Sequence, residues 1–214
     1  MRLILLGPPG AGKGTQAFRL AARVGAPHVA TGELLRAARA AETEIGARAS
    51  EYMDAGELVP DEVVLEILKL RLAEPDASDG FVLDGFPRNA AQAKALDEIL
   101  EEIGQKLDAV IALDVPDAVI VERLSSRLTC IKCGRVYSPS APPKEPGRCN
   151  ADGTELVRRR DDNPAVIQHR LQVYRKETEP LIAYYEDRGL LTHVNGVGGL
   201  EEVLDRMVAS LPVA

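Results

Sequence analysis

Apolar and polar positions along the chain follow two alternating periods. Short, nearly continuous apolar runs at 2–6, 28–30, 80–84, 109–113 and 190–194 predict five strands buried on both faces. Between them, apolar residues recur at helical spacing over 13–24, 33–40, 43–55, 62–73, 89–103, 116–126, 163–187 and 200–211. The helix at 62–73 carries Val63, Val64, Ile67, Leu68 and Leu70 on its inner side. Local signals mark several starts. Thr31 reads as an N-cap, Pro116 as a first-turn proline, and Asn163-Pro164 as a cap followed by proline. Strands alternating with helices predict an α/β fold with a doubly wound parallel five-stranded sheet.

Two segments depart from this pattern. The helices at 33–40 and 43–55 are Ala-rich and polar, with little apolar surface for a shared core, and read as a small flap on the main body. From Leu128 to about Asp162 the chain holds Gly, Pro, charges and three Cys with almost no core residues, and reads as an inserted domain. No internal repeat is visible, and the only biased stretch is Pro-rich, at 139–146.

The length of 214 residues suits one α/β domain with insertions, and 45% hydrophobic residues suffice for a core. The net charge of −7 argues against a general nucleic-acid binder, so an anionic small substrate would need local clusters of Arg and Lys. No apolar run approaches the roughly 20 residues of a membrane span, and Met1 leads straight into a strand rather than a signal peptide. Three cysteines confined to 130–149 do not make a disulfide framework, which points to a reducing, cytoplasmic setting.

The chemistry begins where the first strand ends, at Gly7-Pro8-Pro9-Gly10-Ala11-Gly12-Lys13-Gly14-Thr15. Strand, glycine-rich turn, lysine and helix make a phosphate-binding loop. Backbone N–H groups turn inward around an anion, the helix N-terminus adds partial positive charge, and Lys13 adds a full one. Gly14 stands where the general pattern has Ser or Thr, and the hydroxyl comes one position later, at Thr15. Asp84 ends a strand and is either a holder of Mg²⁺ through water or a polar strand end. In Asp84-Gly85-Phe86-Pro87-Arg88 a rigid turn presents Arg88 beyond the carboxyl ends of the strands, where ligands bind in such sheets. Arg36, Arg123, Arg127, Arg159 and Arg170 are further phosphate candidates, with Arg123 and Arg127 four apart on one helix face. Others, such as Arg19, Arg39 and Arg206, read as solvated surface charge. His28, His169 and His193 are scattered and suggest no base.

Cys130-x2-Cys133 and Cys149-x2-Asp152 are two pairs with fifteen residues between them, a zinc-ribbon spacing. Three thiolates and a carboxylate would close a structural site and compensate for the missing core of this segment. The alternative is a metal-free knuckle.

The whole chain, from Met1-Arg2-Leu3-Ile4-Leu5-Leu6-Gly7 to Asn195-Gly196, resembles the adenylate kinases of the bacterial long-lid form. The most specific matches are Gly10 to Gln16, Thr31-Gly32-Glu33-Leu34-Leu35-Arg36, Asp84 to Arg88, Gly134-Arg135-Val136-Tyr137 and Arg159-Arg160-Asp161-Asp162. The resemblance implies a P-loop kinase core over 1–29, 60–126 and 163–214, a nucleoside-monophosphate flap over 30–59 and a lid over 127–162. It implies Mg²⁺-dependent transfer from ATP to AMP, giving two ADP, by a monomer without nucleic-acid or membrane partners. By similarity Gly10, Ala11, Gly12, Lys13, Gly14 and Thr15 hold ATP phosphates, with Arg127, Val136 and Tyr137 reaching ATP from the lid. Gly198 sits where relatives contact adenine, often with Lys, so only a backbone contact would remain. Thr31, Arg36, Glu57, Leu58, Val59, Gly85, Phe86, Pro87, Arg88 and Gln92 would line the AMP site. Arg159 and Arg170 would reach the phosphates from the far side. Structural Zn²⁺ would sit on Cys130, Cys133, Cys149 and Asp152. Competing readings are a UMP/CMP kinase and, more remotely, a P-loop protein with a zinc-ribbon binding module. Gln92 favours adenine, because an amide can pair with its edge.

Overall fold

The computed structural model describes residues 1–139 and 141–212. Ser140, in the Pro-rich patch, and Val213 and Ala214, at the end of the expected core segment, lie outside the described residues. The central sheet uses β1 (Arg2–Leu6), β2 (His28–Ala30), β3 (Phe81–Asp84) and β4 (Ala109–Asp114). A separate small sheet uses β5 (Leu128–Cys130), β6 (Val136–Tyr137) and β7 (Leu156–Val157), and β8 (Leu191–Asn195) returns to the first. The central order is β2-β3-β1-β4-β8, all parallel, with Leu3 level with both Val82 and Ala109. From β1 the chain crosses to the edge at β2, returns to β3 beside β1, and then passes to β4 and β8 on the other side, so the carboxyl end of β1 lies at the reversal where such sheets open a crevice.

Strand side chains alternate between two cores. Ile4, Leu6, Phe81, Leu83, Val110 and Ala112 pack on one face with α4 (Asp61–Leu72), α5 (Ala90–Glu102) and α8 (Leu181–Glu186). Leu3, Leu5, Val82, Ile111 and Leu113 pack on the other with α1 (Lys13–Val24) and α9 (Leu200–Ala209). Burying each large aliphatic side chain stabilises the fold by about 1.5–3 kcal/mol. Among the described residues no helix is long and apolar enough to cross a membrane.

Leu70, expected on the inner side of α4, is 63% exposed, and five further local expectations differ from what the structure holds. Thr31 does not cap α2 (Thr31–Ala40); Ala30 is the N-cap, and the Thr31 hydroxyl donates to Gly85 O at 2.8 Å instead. Thr43 is a true cap for α3 (Glu44–Ala55), accepting from Gly46 N. These flap helices also pack more tightly than their composition suggests. A Cβ on Gly46 would stand 2.4 Å from the Ala38 carbonyl, so small residues suffice at the crossing, and Leu35, Ala49 and Val59 join the main core. The inserted segment has a small core of its own, of Cys130, Tyr137, Cys149 and Leu156. Arg123 and Arg127 do not share a helix face: α6 (Asp117–Ser125) ends between them, where Ser126 Oγ donates to the Glu122 carbonyl.

The fifth difference is the long helix expected over 163–187. It divides into α7 (Pro164–Val173), a π turn at Tyr174–Thr178, and α8. Asn163 caps α7 as expected, accepting from Ala165 N. The physical cause of the break is Pro180, which has no N–H to donate and whose ring would strike the carbonyl four residues back in a regular helix. Widening the preceding turn relieves this, and Glu179 N reaches back five residues to Tyr174 O at 2.8 Å.

Candidate active site

The phosphate loop leaves β1 at Gly7 and enters α1 with Gly12 as N-cap in a left-handed conformation, at φ 94°. Gly10 is equally constrained: at φ 83°, a Cβ would also lie 2.8 Å from the Leu124 side chain. Lys13 folds back across the loop and donates to Gly7 O at 2.7 Å and Pro8 O at 2.9 Å. The Gly14 departure from the general pattern has a steric reason: a Cβ there would stand 3.2 Å from Asp84 Oδ2. Arg123 braces the loop from behind, donating to Ala11 O at 3.1 Å and to Gly196 O at 3.0 Å.

Beside the loop, Asp84 at the end of β3 faces Lys13. Burial opposes its charge, but His28, Lys13 and Arg88 outweigh that and hold the carboxyl below the usual carboxylate range. A hard oxygen donor kept ionised against a loop left open by Gly14 fits an outer-sphere holder of Mg²⁺. His28 Nε2 stands 3.7 Å from Asp84 Oδ2 and is buried without a hydrogen-bond partner among the described residues.

A small cavity of about 70 Å³ opens between the flap helices and the β3 turn. It gathers Thr31, Arg36, Glu57, Leu58, Val59, Gly85, Arg88, Gln92 and Arg170, which the sequence scatters over 140 positions, and adds Asp161 and Met53. Phe86 and Pro87 are buried and shape the turn from beneath. Gln92 is only 1% exposed, and its amide is already engaged: Oε1 accepts from Arg88 N at 2.8 Å and Nε2 donates to Asp61 at 2.7 Å. One N–H and one acceptor position remain. A larger open cavity of about 620 Å³ lies behind the loop, between Gly7, Pro8, Val115 and Tyr174, and none of the phosphate-directed arginines lines it.

The electrostatics are lopsided toward positive charge. Burial drives the Lys13 ammonium down to about 8, with Asp84 opposing and Arg88 adding to the effect. Burial likewise brings Arg88 to about 10 and Arg159 to about 9, and lowers Arg36 and Arg170. Arg127 is held bidentate on Asp162, at 2.8 and 2.5 Å, and Arg170 pairs with Asp161 at 2.7 Å. Cations withdrawn from water and crowded against one another form a site that an anion relieves. Asp161 and Asp162 stand in the sequence as the acidic half of the Arg159-Arg160-Asp161-Asp162 motif. Their role as counter-charges needs the fold.

In the inserted segment, the donor atoms of Cys130, Cys133, Cys149 and Asp152 all lie within 4.8 Å of one another. Cys133 Sγ and Cys149 Sγ are 3.5 Å apart, as are Cys130 Sγ and Asp152 Oδ1. Ligands on a tetrahedron with bonds of about 2.3 Å stand about 3.8 Å apart, so the set fits an ion of zinc's size. Tyr137 is turned into this cluster: its hydroxyl donates to Cys149 Sγ at 3.4 Å and accepts from Asn150 N at 2.7 Å. The Tyr137 ring is therefore committed to this cluster, while Val136 beside it is only half-buried. Gly198 lies in the turn before α9 at φ 131°, where a Cβ would meet Glu202 at 2.6 Å.

A phosphate loop at the reversal of a parallel sheet, facing buried arginines, defines a P-loop nucleotide-binding protein. The sequence profile of one family, described as adenylate kinase, matches residues 5–190. Among relatives, the adenylate kinase of Archaeoglobus fulgidus is 52% identical over 212 residues, 99% of this chain and 98% of its own. That of Thermodesulfovibrio yellowstonii is 51% identical over 212 residues, 99% of each chain. That of Syntrophobacter fumaroxidans is 48% identical over 212 residues, 99% of this chain and all of its own. The chain belongs to the adenylate kinase family.

Proposed function

We propose that the chain transfers the terminal phosphoryl group of ATP to AMP, reversibly, giving two ADP. The carrying observation is the meeting of Lys13, Arg88 and Arg170 between the phosphate loop and the flap cavity. ATP would place its phosphates on the Gly10–Thr15 backbone, and AMP would lie in the flap cavity with its phosphate on Arg36, Arg88 and Arg170. One P–O bond forms to an AMP phosphate oxygen while the bond to the ADP leaving oxygen breaks, in line, with no covalent enzyme intermediate. Lys13, Arg127 and Arg159 would neutralise charge on the transferring group, and holding both nucleotides in line lowers the entropic part of the barrier. Mg²⁺ would be held by the ATP phosphates and, through water, Asp84, and supplies further neutralisation. No general base is required.

In this reading 1–29, 60–126 and 163–214 are the rigid core, 30–59 the flap and 127–162 the lid. Flap and lid close over the nucleotides to exclude water, since an open site would hydrolyse ATP. Zinc on Cys130, Cys133, Cys149 and Asp152 would stiffen the lid away from the chemistry. ATP, AMP and ADP are its partners, and the unpaired thiols of Cys130, Cys133 and Cys149 suit a reducing compartment.

The test is an acceptor panel at equal concentration with MgATP as donor. AMP is expected to be much the best acceptor. CMP or UMP performing as well as AMP would overturn the adenylate assignment.

A further inference from the structure

Arg88 is held at three points. Its N–H donates to Gln92 Oε1 at 2.8 Å, its Nε donates to Gly85 O at 2.8 Å, and its carbonyl accepts from Thr178 Oγ1 at 2.7 Å. Its two Nη atoms have no hydrogen-bond partner among the described residues and are the part left for a ligand. The first two contacts are local to the β3 turn. The third crosses 90 residues of sequence and comes from the π turn.

Thr178 is 8% exposed and is the last residue of that turn. A side chain on a regular helix would be set by the 3.6-residue repeat. The wider π turn changes the phase of everything after it, and it is here that the Thr178 hydroxyl meets the Arg88 carbonyl. The same continuous helical segment carries Arg170 eight residues earlier, on α7, where it lines the flap cavity opposite Arg88.

The geometry points to Thr178 as a positioning residue for phosphoryl transfer. Through one part-buried hydrogen bond it fixes the Arg88 backbone at a set distance from Arg170, so that two guanidinium groups from separate elements grip one phosphate. Thr178 touches neither nucleotide and acts through Arg88. This rests on the placing of Arg88 and Arg170 at the AMP phosphate.

Thr178→Val keeps the shape and removes the donor; Thr178→Ser keeps the donor. AMP and ATP affinities are measured calorimetrically, each nucleotide alone, for these variants, Arg88→Ala and the double variant Arg88→Ala/Thr178→Val, with melting temperatures alongside. Thr178→Val is expected to weaken AMP binding on the order of tenfold, the scale of one lost hydrogen bond. It should leave ATP affinity unchanged, Thr178→Ser should restore AMP binding, and Thr178→Val should cost little further in the Arg88→Ala background. Unchanged AMP affinity in Thr178→Val, an equal loss for ATP, failure of Ser to restore, or full additivity with Arg88→Ala would each overturn the positioning role. Arg88→Ala separates the two readings. If it binds AMP normally the site assignment itself fails; if it alone loses AMP, only the role of Thr178 does. Should Thr178→Val not fold, Thr178→Ala takes its place in the same comparisons.

Discussion

Lys13 shows how a single residue is loaded for its task. Burial brings its ammonium from 10.5 down to about 8 while, among the described residues, its hydrogen bonds run to the loop's own carbonyls. The free protein therefore holds a proton on Lys13 below about pH 8 and loses it as pH rises through that value. For stability the sign is clear: between about 8 and 10.5 the unfolded chain binds the extra proton, so the empty protein gains stability as pH rises through that window. For binding it is the reverse, since only the ammonium pairs with phosphate. ATP affinity, measured without AMP, should fall on the order of tenfold from pH 7 to 9, with proton uptake on binding at the higher pH. A flat affinity over that range would mean that Lys13 does not meet the phosphates. What the sequence made legible at this scale was chemistry carried by contiguous residues, such as Gly10 to Thr15. The Tyr137–Cys149, Asp162–Arg127 and Thr178–Arg88 contacts were not legible, because each needs a partner that only the fold brings alongside.

At the scale of elements, the strands were readable because each is a continuous apolar run buried on both faces, and the helices because their stripes match that sheet. The helix after Asn163 departs from its pattern because the apolar spacing runs unbroken past Pro180, whose missing N–H divides the segment. The flap helices were underrated for a related reason: Gly46 lets backbones approach so closely that few apolar atoms are needed. The lid cluster was legible, since paired spacings of two residues leave few other geometries for Cys130, Cys133, Cys149 and Asp152. If zinc holds it, elemental analysis of protein kept reduced and away from chelators should find about one zinc per chain, the complement of one closed four-ligand site. Cys130→Ser should lower the melting temperature yet leave activity at moderate temperature, and Asp152→Cys should be tolerated or stabilising. A clearly substoichiometric content of every transition metal would leave the knuckle metal-free.

For the whole molecule, the sheet order places the phosphate loop at its centre, and the two insertions meet above it. Between them Arg160 reaches Asp54 of the flap at 3.3 Å, and from α7 of the core His169 meets Glu57 of the flap at 2.6 Å. These pairs are largely exposed, and such pairs contribute about 0–1 kcal/mol each. If flap and lid close over the nucleotides as proposed, contacts this weak let that closure be reversed in every cycle. The core that supports them is rigid by contrast, with Ile4, Leu83 and Leu96 fully buried. Function should therefore be separable from folding at the loop residues. The most direct measurement is the rate of ADP formation from MgATP and AMP by Lys13→Ala and Arg88→Ala, with thermal unfolding recorded on the same samples. Each variant should lose on the order of 10²-fold or more in rate, the usual cost of removing one preorganised charge donor, while its melting temperature stays close to that of the parent. Near-normal turnover in either variant would contradict the account.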